Sequence, residues 1–317
     1  MNRQSQNKLK VVFLGTPTIA CNALEDFIKS EDIEICAVVT QPDKPAGRGH
    51  QLTPPPIKLL VLENNVEVFQ PVSIRKDVEL IEKLKSLEPD FFITIAFGQI
   101  LSQEVLDIPK HGTINLHASL LPKYRGANPI ARAIADGEAV SGVCTMLTSI
   151  GVDEGDVILT EKIEIEKNMT TEDLSVRISE IAPEILRKSL YGIYSGTITP
   201  QKQDNSQATF APKFSKEEMF LDFSKPALQL HNLVRALYPK PAANAYFDNI
   251  LVKIMQTEVV EQNVSAKNGE VVKIDKNGLY VATGENLLLI KTLKPSGKKE
   301  MPAYAWSCGV AKPIIFH

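Results

Sequence analysis

The feature that most constrains this chain is a series of short, almost wholly apolar runs separated by segments of helical character. Leu9–Leu14, Ile33–Thr40, Val66–Phe69, Phe91–Ala96 and Gly112–Leu116 read as strands. Continuous rather than alternating apolar sequence marks strands buried on both faces, as in a parallel sheet covered by helices. Between them, Ile19–Lys29 and Asp77–Ser86 read as helices. A further helix is delimited by Asn128 as N-cap, Pro129 at its first position and Gly137 at its end. Gly142–Ser149 reads as a strand entering the loop Gly151–Asp156, and Thr170 with Asp173 resembles a capping box for a helix to about Gly192.

Beyond this point the pattern changes. Residues 195–212 are polar and read as a linker. A second capping box, Ser215 with Glu218, precedes a helix at 224–238. Short β-like runs follow at 245–247, 252–255, 269–274, 278–282 and 287–293, with Gly, Asn and Asp between them. The expected fold is therefore α/β: a doubly wound, mostly parallel Rossmann-like sheet over residues 8–205, then a small OB-like β-barrel over residues 206–317. The length of 317 residues fits two domains at about 150 residues each.

No apolar run approaches the roughly 18 residues of a membrane-spanning helix, and the N-terminal apolar stretch is too short for a signal peptide. A cytoplasmic, soluble protein without a membrane partner is expected. Cys21, Cys36, Cys144 and Cys308 form no C-x-x-C pair, which argues against a zinc or redox motif. Charge is uneven: residues 209–317 carry 14 Lys/Arg against 10 Asp/Glu (net +4), and residues 1–208 carry 21 against 28 (net −7). A basic C-terminal region suits a polyanionic partner, although lysine used for solubility gives the same count.

Three stretches carry chemistry. The first strand turns through Gly15-Thr16-Pro17 with one glycine where a dinucleotide-binding loop needs three, so NAD binding is disfavoured. Residues 41–56 hold five prolines and two glycines, with Lys44 and Arg48; a connection this long is either functional or a plain surface loop. Arg48, between Gly47 and Gly49, is a guanidinium suited to phosphate. The densest cluster runs from Ile114 to Gly126. Asn115 and His117 alternate on a strand end and so share a face. A carboxamide can donate to a developing oxyanion, and an imidazole can move a proton near neutral pH. The carboxylate that such a histidine needs is offered by Asp153, in the loop after the next strand. Asn-x-His alone is more often structural; with SLLP and V-D-x-G-D behind it, it is far more specific.

Asn-x-His, SLLP and the Asp loop together resemble the folate-dependent formyltransferases. The resemblance runs from Leu9 onward, through FLGTP at 13–17, TQPDKPAGRG at 40–49, NLHASLLPKYRGANPI at 115–130, GVDEGD at 151–156 and TFAPKFSKEE at 209–218. QPDKPAGRG and the KEE segment point to the branch that acts on charged initiator tRNA. The resemblance implies transfer of a formyl group from 10-formyltetrahydrofolate to the amine of methionyl initiator tRNA, without a metal, by a monomer. It implies Asn115, His117 and Asp153 in catalysis. Phe97, Gly98, Gln99, Ile100, Ser119, Leu120, Leu121 and Pro122 would line the folate site, with a cis Leu121–Pro122 bond. Lys44, Arg48, Lys213 and Lys216 would face the tRNA. The rivals are a formyltransferase acting on a small amine or sugar nucleotide, and a non-catalytic RNA-binding protein.

Overall fold

The computed structural model describes residues 8–46 and 51–317. The chain forms two compact units, each discontinuous in sequence. The first comprises residues up to Gly126 with Gly142–Ile163 and Ser175–Phe210; the second comprises Ala127–Ser141, Glu164–Leu174 and Ala211–His317.

In chain order the elements of the first part are β1 (Leu9–Gly15), α1 (Cys21–Ile28), β2 (Ile33–Val39), β3 (Lys44–Ala46), β4 (Gln51–Thr53), α2 (Pro56–Glu63), β5 (Val68–Phe69), α3 (Val78–Ser86), β6 (Phe91–Ile95), α4 (Gln103–Leu106), β7 (Thr113–His117), α5 (Pro129–Ala135), β8 (Val140–Leu147), β9 (Val157–Glu164) and α6 (Thr171–Tyr194). Seven strands make one sheet in the order β5-β2-β1-β6-β7-β8-β9. From β5 to β7 the pairs are parallel, and β7 pairs with β8 antiparallel. The apolar runs explain this: all five residues of β6 are buried, as a central parallel strand requires. Val12, Leu14, Ala37, Val39 and Phe92 pack with Leu80, Ile81 and Leu84 of α3 in one apolar cluster.

Gly15 is explained by packing. A Cβ there would stand 2.9 Å from Phe13 Cε1 and 3.1 Å from the Ala20 Cβ, so the first strand–helix turn needs glycine for close approach alone. The Thr170–Asp173 capping box forms in both directions, with the Thr170 N–H donating to Asp173 Oδ2 (2.9 Å) and the Asp173 N–H to Thr170 Oγ1 (3.2 Å). Asn128 stands at the N-cap of α5, but its side chain makes no capping hydrogen bond. The edge strand β9 carries no apolar signature in the sequence. Its three consecutive exposed residues, Thr160, Glu161 and Lys162, break the apolar pattern that marks the other strands.

The polar stretch after α6 is no free linker. The Val157 N–H donates to the Gln201 carbonyl and the Gln201 N–H to that of Val157 (both 2.8 Å), and the Arg125 N–H donates to the Thr209 carbonyl (2.9 Å). Residues 201–209 are thereby hydrogen-bonded to the first unit at both ends.

The later elements are α7 (Ala227–Leu237), β10 (Ala243–Phe247), β11 (Ile250–Val260), β12 (Val271–Asp275), β13 (Gly278–Ala282), β14 (Leu287–Pro295), β15 (Met301–Pro302) and α8 (Ala303–Ser307). The sheet order is β10-β11-β14-β13-β12, with β15 on β14, all antiparallel. The last residues join its two edges. The Phe316 N–H donates to the Gly269 carbonyl (2.9 Å), Val271 donates to Ile314 (3.0 Å), and His317 and Tyr246 exchange hydrogen bonds (2.9 and 2.7 Å). This tail makes the sheet barrel-like and leaves fewer open edges. The core is apolar: Leu230, Val234 and Leu237 of α7 pack with Val252, Ile254, Leu288, Ile290, Leu293, Trp306 and Phe316.

Candidate active site

β7 carries Asn115 and His117 on one face, at a strand whose neighbours fix both ends. Asn115 lies opposite Thr94 of β6, and Thr94 Oγ1 donates to Asn115 Oδ1 (2.8 Å). Oδ1 is thus taken, which leaves the Nδ2 hydrogens as donors with no partner among the described residues. The threonine turns the carboxamide so that its donor end is presented.

His117 is only 5% exposed. Its Nε2 lies 2.9 Å from the Tyr124 carbonyl oxygen. A carbonyl only accepts, so Nε2 carries the proton and Nδ1 is the basic nitrogen. Asp153 Oδ2 lies 3.5 Å from that Nδ1. The separation exceeds a good hydrogen bond, but a proton arriving on Nδ1 meets a carboxylate directly. Cys144 lies opposite His117 in the β7–β8 register. It is no nucleophile: burial pushes its thiol up, and Sγ lies 3.2 Å from Thr160 Oγ1.

Asp153 reaches this place by an unexpected route. Successive parallel strands would bring its loop to the carboxyl end of β7. Instead β8 runs antiparallel, so its last residue, Leu147, lies opposite Ile114 near the start of β7. The loop from Thr148 to Asp156 then has to return toward His117. It does so with Asp153 at φ +51°, in the left-handed region. Gly155 packs on the Leu147 carbonyl, where a Cβ would overlap the oxygen. Asp153 Oδ2 also accepts the Gly126 N–H (2.8 Å), which ties the loop to the end of the 115–126 segment.

The turn residues assigned to a folate slot divide by what they already hold. Phe97 is buried in the apolar cluster beneath the sheet. Its carbonyl accepts from Thr16 Oγ1 and Gln41 Nε2 (both 3.1 Å). The Gln99 side chain accepts from the Ile74 N–H (2.7 Å) and donates to the Pro71 carbonyl (2.9 Å). These two side chains are occupied with holding the turn. Ala96 and Gly98 have φ of +47° and +79°, and Ile100 is 68% exposed. On the other side, Ser119 Oγ donates to the Lys123 carbonyl (2.6 Å), Leu120 and Leu121 are half-buried, and the Leu121–Pro122 bond is cis.

Two family models match the chain: "Formyl transferase" over residues 9–190 and "Formyl transferase, C-terminal domain" over residues 213–311. The methionyl-tRNA formyltransferase of Clostridium perfringens (strain 13 / Type A) is 44% identical over 92% of this chain and 94% of its own. The chain belongs to the methionyl-tRNA formyltransferase family. That of Clostridioides difficile (strain 630) is 43% identical over the same shares. Among solved structures, the N-formyltransferase from Helicobacter canadensis with folinic acid and dTDP-3-aminofucose superposes with a TM-score of 0.66 at 19% identity, covering 92% of this chain and all of that one. HypX from Aquifex aeolicus with tetrahydrofolic acid gives 0.64 at 18%, over 96% of this chain and 47% of that one. At these identities the likeness is one of fold.

Of the residues the family resemblance assigned to tRNA, Arg48 lies outside the described residues. Lys44 opens the β3–β4 pair and is exposed. Behind it the Gln70 carboxamide and the Lys58 ammonium (2.7 and 2.9 Å) hold the Asp43 carboxyl below its usual range. Lys213 and Lys216 are exposed and make no ion pair among the described residues. Arg132 fixes the backbone that carries them. It donates to the Pro212 and Lys213 carbonyls (2.9 and 3.2 Å), pairs with Glu218 (2.7 Å) and lies 3.8 Å over the Phe214 ring. No helix is long and apolar enough to cross a membrane, and no cluster of His, Cys, Asp and Glu suited to a metal occurs among the described residues.

Proposed function

We propose that this chain transfers the formyl group of 10-formyltetrahydrofolate to the α-amine of methionyl initiator tRNA, with Asn115, His117 and Asp153 as its catalytic residues. The observation that carries the reading is the pairing of a free donor, Asn115 Nδ2, with a basic nitrogen, His117 Nδ1, on one strand face beside a carboxylate.

The folate supplies an activated formyl carbon on N10. The nucleophile is an α-amine of reference pKa about 8, substantially neutral near physiological pH, so no covalent relay through the protein is needed. Asn115 Nδ2 donates to the formyl oxygen as negative charge develops there. His117 takes the proton that the amine sheds as the new C–N bond forms, and returns one to N10 as the old bond breaks. Asp153 opposes the charge on the imidazolium, and the Tyr124 carbonyl holds the ring in one tautomer. The half-buried Leu120, Leu121 and Pro122 and the exposed Ile100 support a folate slot at this place, since a flat pterin requires apolar surface beside backbone amides.

Residues 8–205 form the catalytic domain in this reading and residues 206–317 the tRNA-binding domain. Lys44, Arg48, Lys213 and Lys216 contact phosphates, and the enzyme acts as a cytoplasmic monomer. The test offers the purified protein 10-formyltetrahydrofolate with methionyl initiator tRNA, free methionine, or an amino-sugar nucleotide. Formylation of the tRNA alone is the expected result; preference for either small amine would overturn it.

A further inference from the structure

Asp153 is the one member of the site that no strand fixes. Its backbone sits at a φ that L-residues rarely adopt, a conformation that costs of order 1 kcal/mol or more unless its surroundings impose it. What imposes it comes from 50 residues away. Gln203 Nε2 donates to the Asp153 carbonyl (2.8 Å) and to the Gly155 carbonyl (2.7 Å). Both amide hydrogens are therefore spent on the two carbonyls that bracket Glu154. The other end of the same carboxamide is equally committed: Oε1 accepts from Arg125 Nε (3.0 Å) and Nη2 (2.8 Å).

Arg125 is 2% exposed, and its Nη2 also donates to Asn205 Oδ1 (2.7 Å). A guanidinium only donates, so it dictates which way the amide points: oxygen toward Arg125, nitrogen toward the loop. Arg125 adjoins Gly126, whose N–H is bonded to the Asp153 carboxylate. One buried arginine thus reaches Asp153 twice, through the backbone of its neighbour to the side chain, and through Gln203 to the main chain.

We infer that Gln203 is a positioning residue for catalysis, which Arg125 orients so that its carboxamide sets the Asp153 carboxylate against His117. The inference rests on the formyl-transfer reading above. It gives the polar stretch after α6 a task that its composition does not announce, since the stretch returns to the site to lock the one catalytic group carried by a loop.

The test is a double-mutant cycle in single-turnover formylation of methionyl initiator tRNA, with KM for both substrates and the thermal midpoint of each variant. Gln203→Ala should lower kcat by about 10- to 100-fold, the scale of a small misplacement of a reacting group, with both KM values within about twofold. In the Asp153→Asn background the same change should cost less than about twofold, because the residue through which it acts is already lost. Gln203→Glu separates positioning from scaffolding. A glutamate keeps the pairing with Arg125, and hence the fold, but turns an oxygen toward the two loop carbonyls. It should therefore be as slow as the alanine variant while still unfolding in one cooperative thermal transition. Independent, multiplicative losses from Gln203→Ala and Asp153→Asn, or wild-type kcat in Gln203→Glu, would overturn the inference. Failure of the wild-type protein to formylate the tRNA would instead overturn the underlying reading.

Discussion

Two regions of the molecule, the loop around the site and the core of the barrel, are held by different physics. Around His117 and Asp153, directional hydrogen bonds to Tyr124, Gly126, Gln203 and Arg125 fix a loop in an unfavourable backbone conformation. In the barrel, α7, the inner strand faces and the Phe316 tail share an apolar core whose attraction has no direction. Hydrogen bonds of this kind contribute modestly to net stability but specify geometry closely, whereas apolar burial supplies stability with little geometric detail. Changes near the site should accordingly alter rate more than stability, and changes in the barrel core should do the reverse.

His117→Ala gives the sharpest case. It should reduce single-turnover formyl transfer by about 10²- to 10⁴-fold, the range for lost proton-transfer help, with a near-normal thermal midpoint by differential scanning fluorimetry. A collapsed midpoint would make His117 a core residue and erase the contrast. Leu293→Ala is the mirror image. Leu293 is fully buried in the barrel core, and its truncation should cost about 2–5 kcal/mol in denaturant unfolding, with kcat per folded molecule close to wild type. Gly155→Ala is meant to break the division, because its Cβ overlaps the Leu147 carbonyl in the very loop that carries Asp153. Both readouts should move: about 1–3 kcal/mol of stability for the overpacking, together with a loss of kcat.

Much of this architecture was legible in the sequence, for identifiable reasons. The parallel strands announced themselves because burial on both faces leaves no room for polar residues, and the Thr170–Asp173 box because its reciprocal hydrogen bonds need those residue types at that spacing. Asn115 and His117 were legible because strand alternation fixes their common face. The antiparallel course of β8 was not, since an apolar run carries no sign of direction. Thr94, Arg125 and Gln203 give no sequence signal for a different reason. A threonine in a strand, an arginine in a loop and a glutamine in a polar stretch all look like ordinary choices until the fold brings them to Asn115 and Asp153.

The smallest effect concerns acid. The Arg132 hydrogen bond and charge hold the Glu218 carboxyl down at about 2, below its ordinary 4.5. A carboxyl lowered by folding contributes stability above its unfolded pKa and loses it as pH falls through the folded value. That contribution should therefore fade between pH 4.5 and 2. Since the pair is half-exposed, it amounts to about 1 kcal/mol or less. Glu218→Gln should flatten the pH dependence of urea unfolding in that window only. His231, held neutral by burial among α7 and β11 and lying 2.9 Å from Thr257 Oγ1, acts higher. Its folded pKa lies below the usual 6.5, so the barrel should begin to lose stability as pH drops beneath that value.

The central claim is that the Asp153 carboxylate works through His117 on formyl transfer to a tRNA-borne amine. The most direct measurement is single-turnover formylation of methionyl initiator tRNA at saturating 10-formyltetrahydrofolate by wild type, Asp153→Asn, His117→Ala and the double variant. Each single change should slow transfer at least about tenfold, and the double variant should be no slower than His117→Ala, as groups acting as one unit require. An Asp153→Asn enzyme with wild-type rate, or losses that multiply in the double variant, would contradict it.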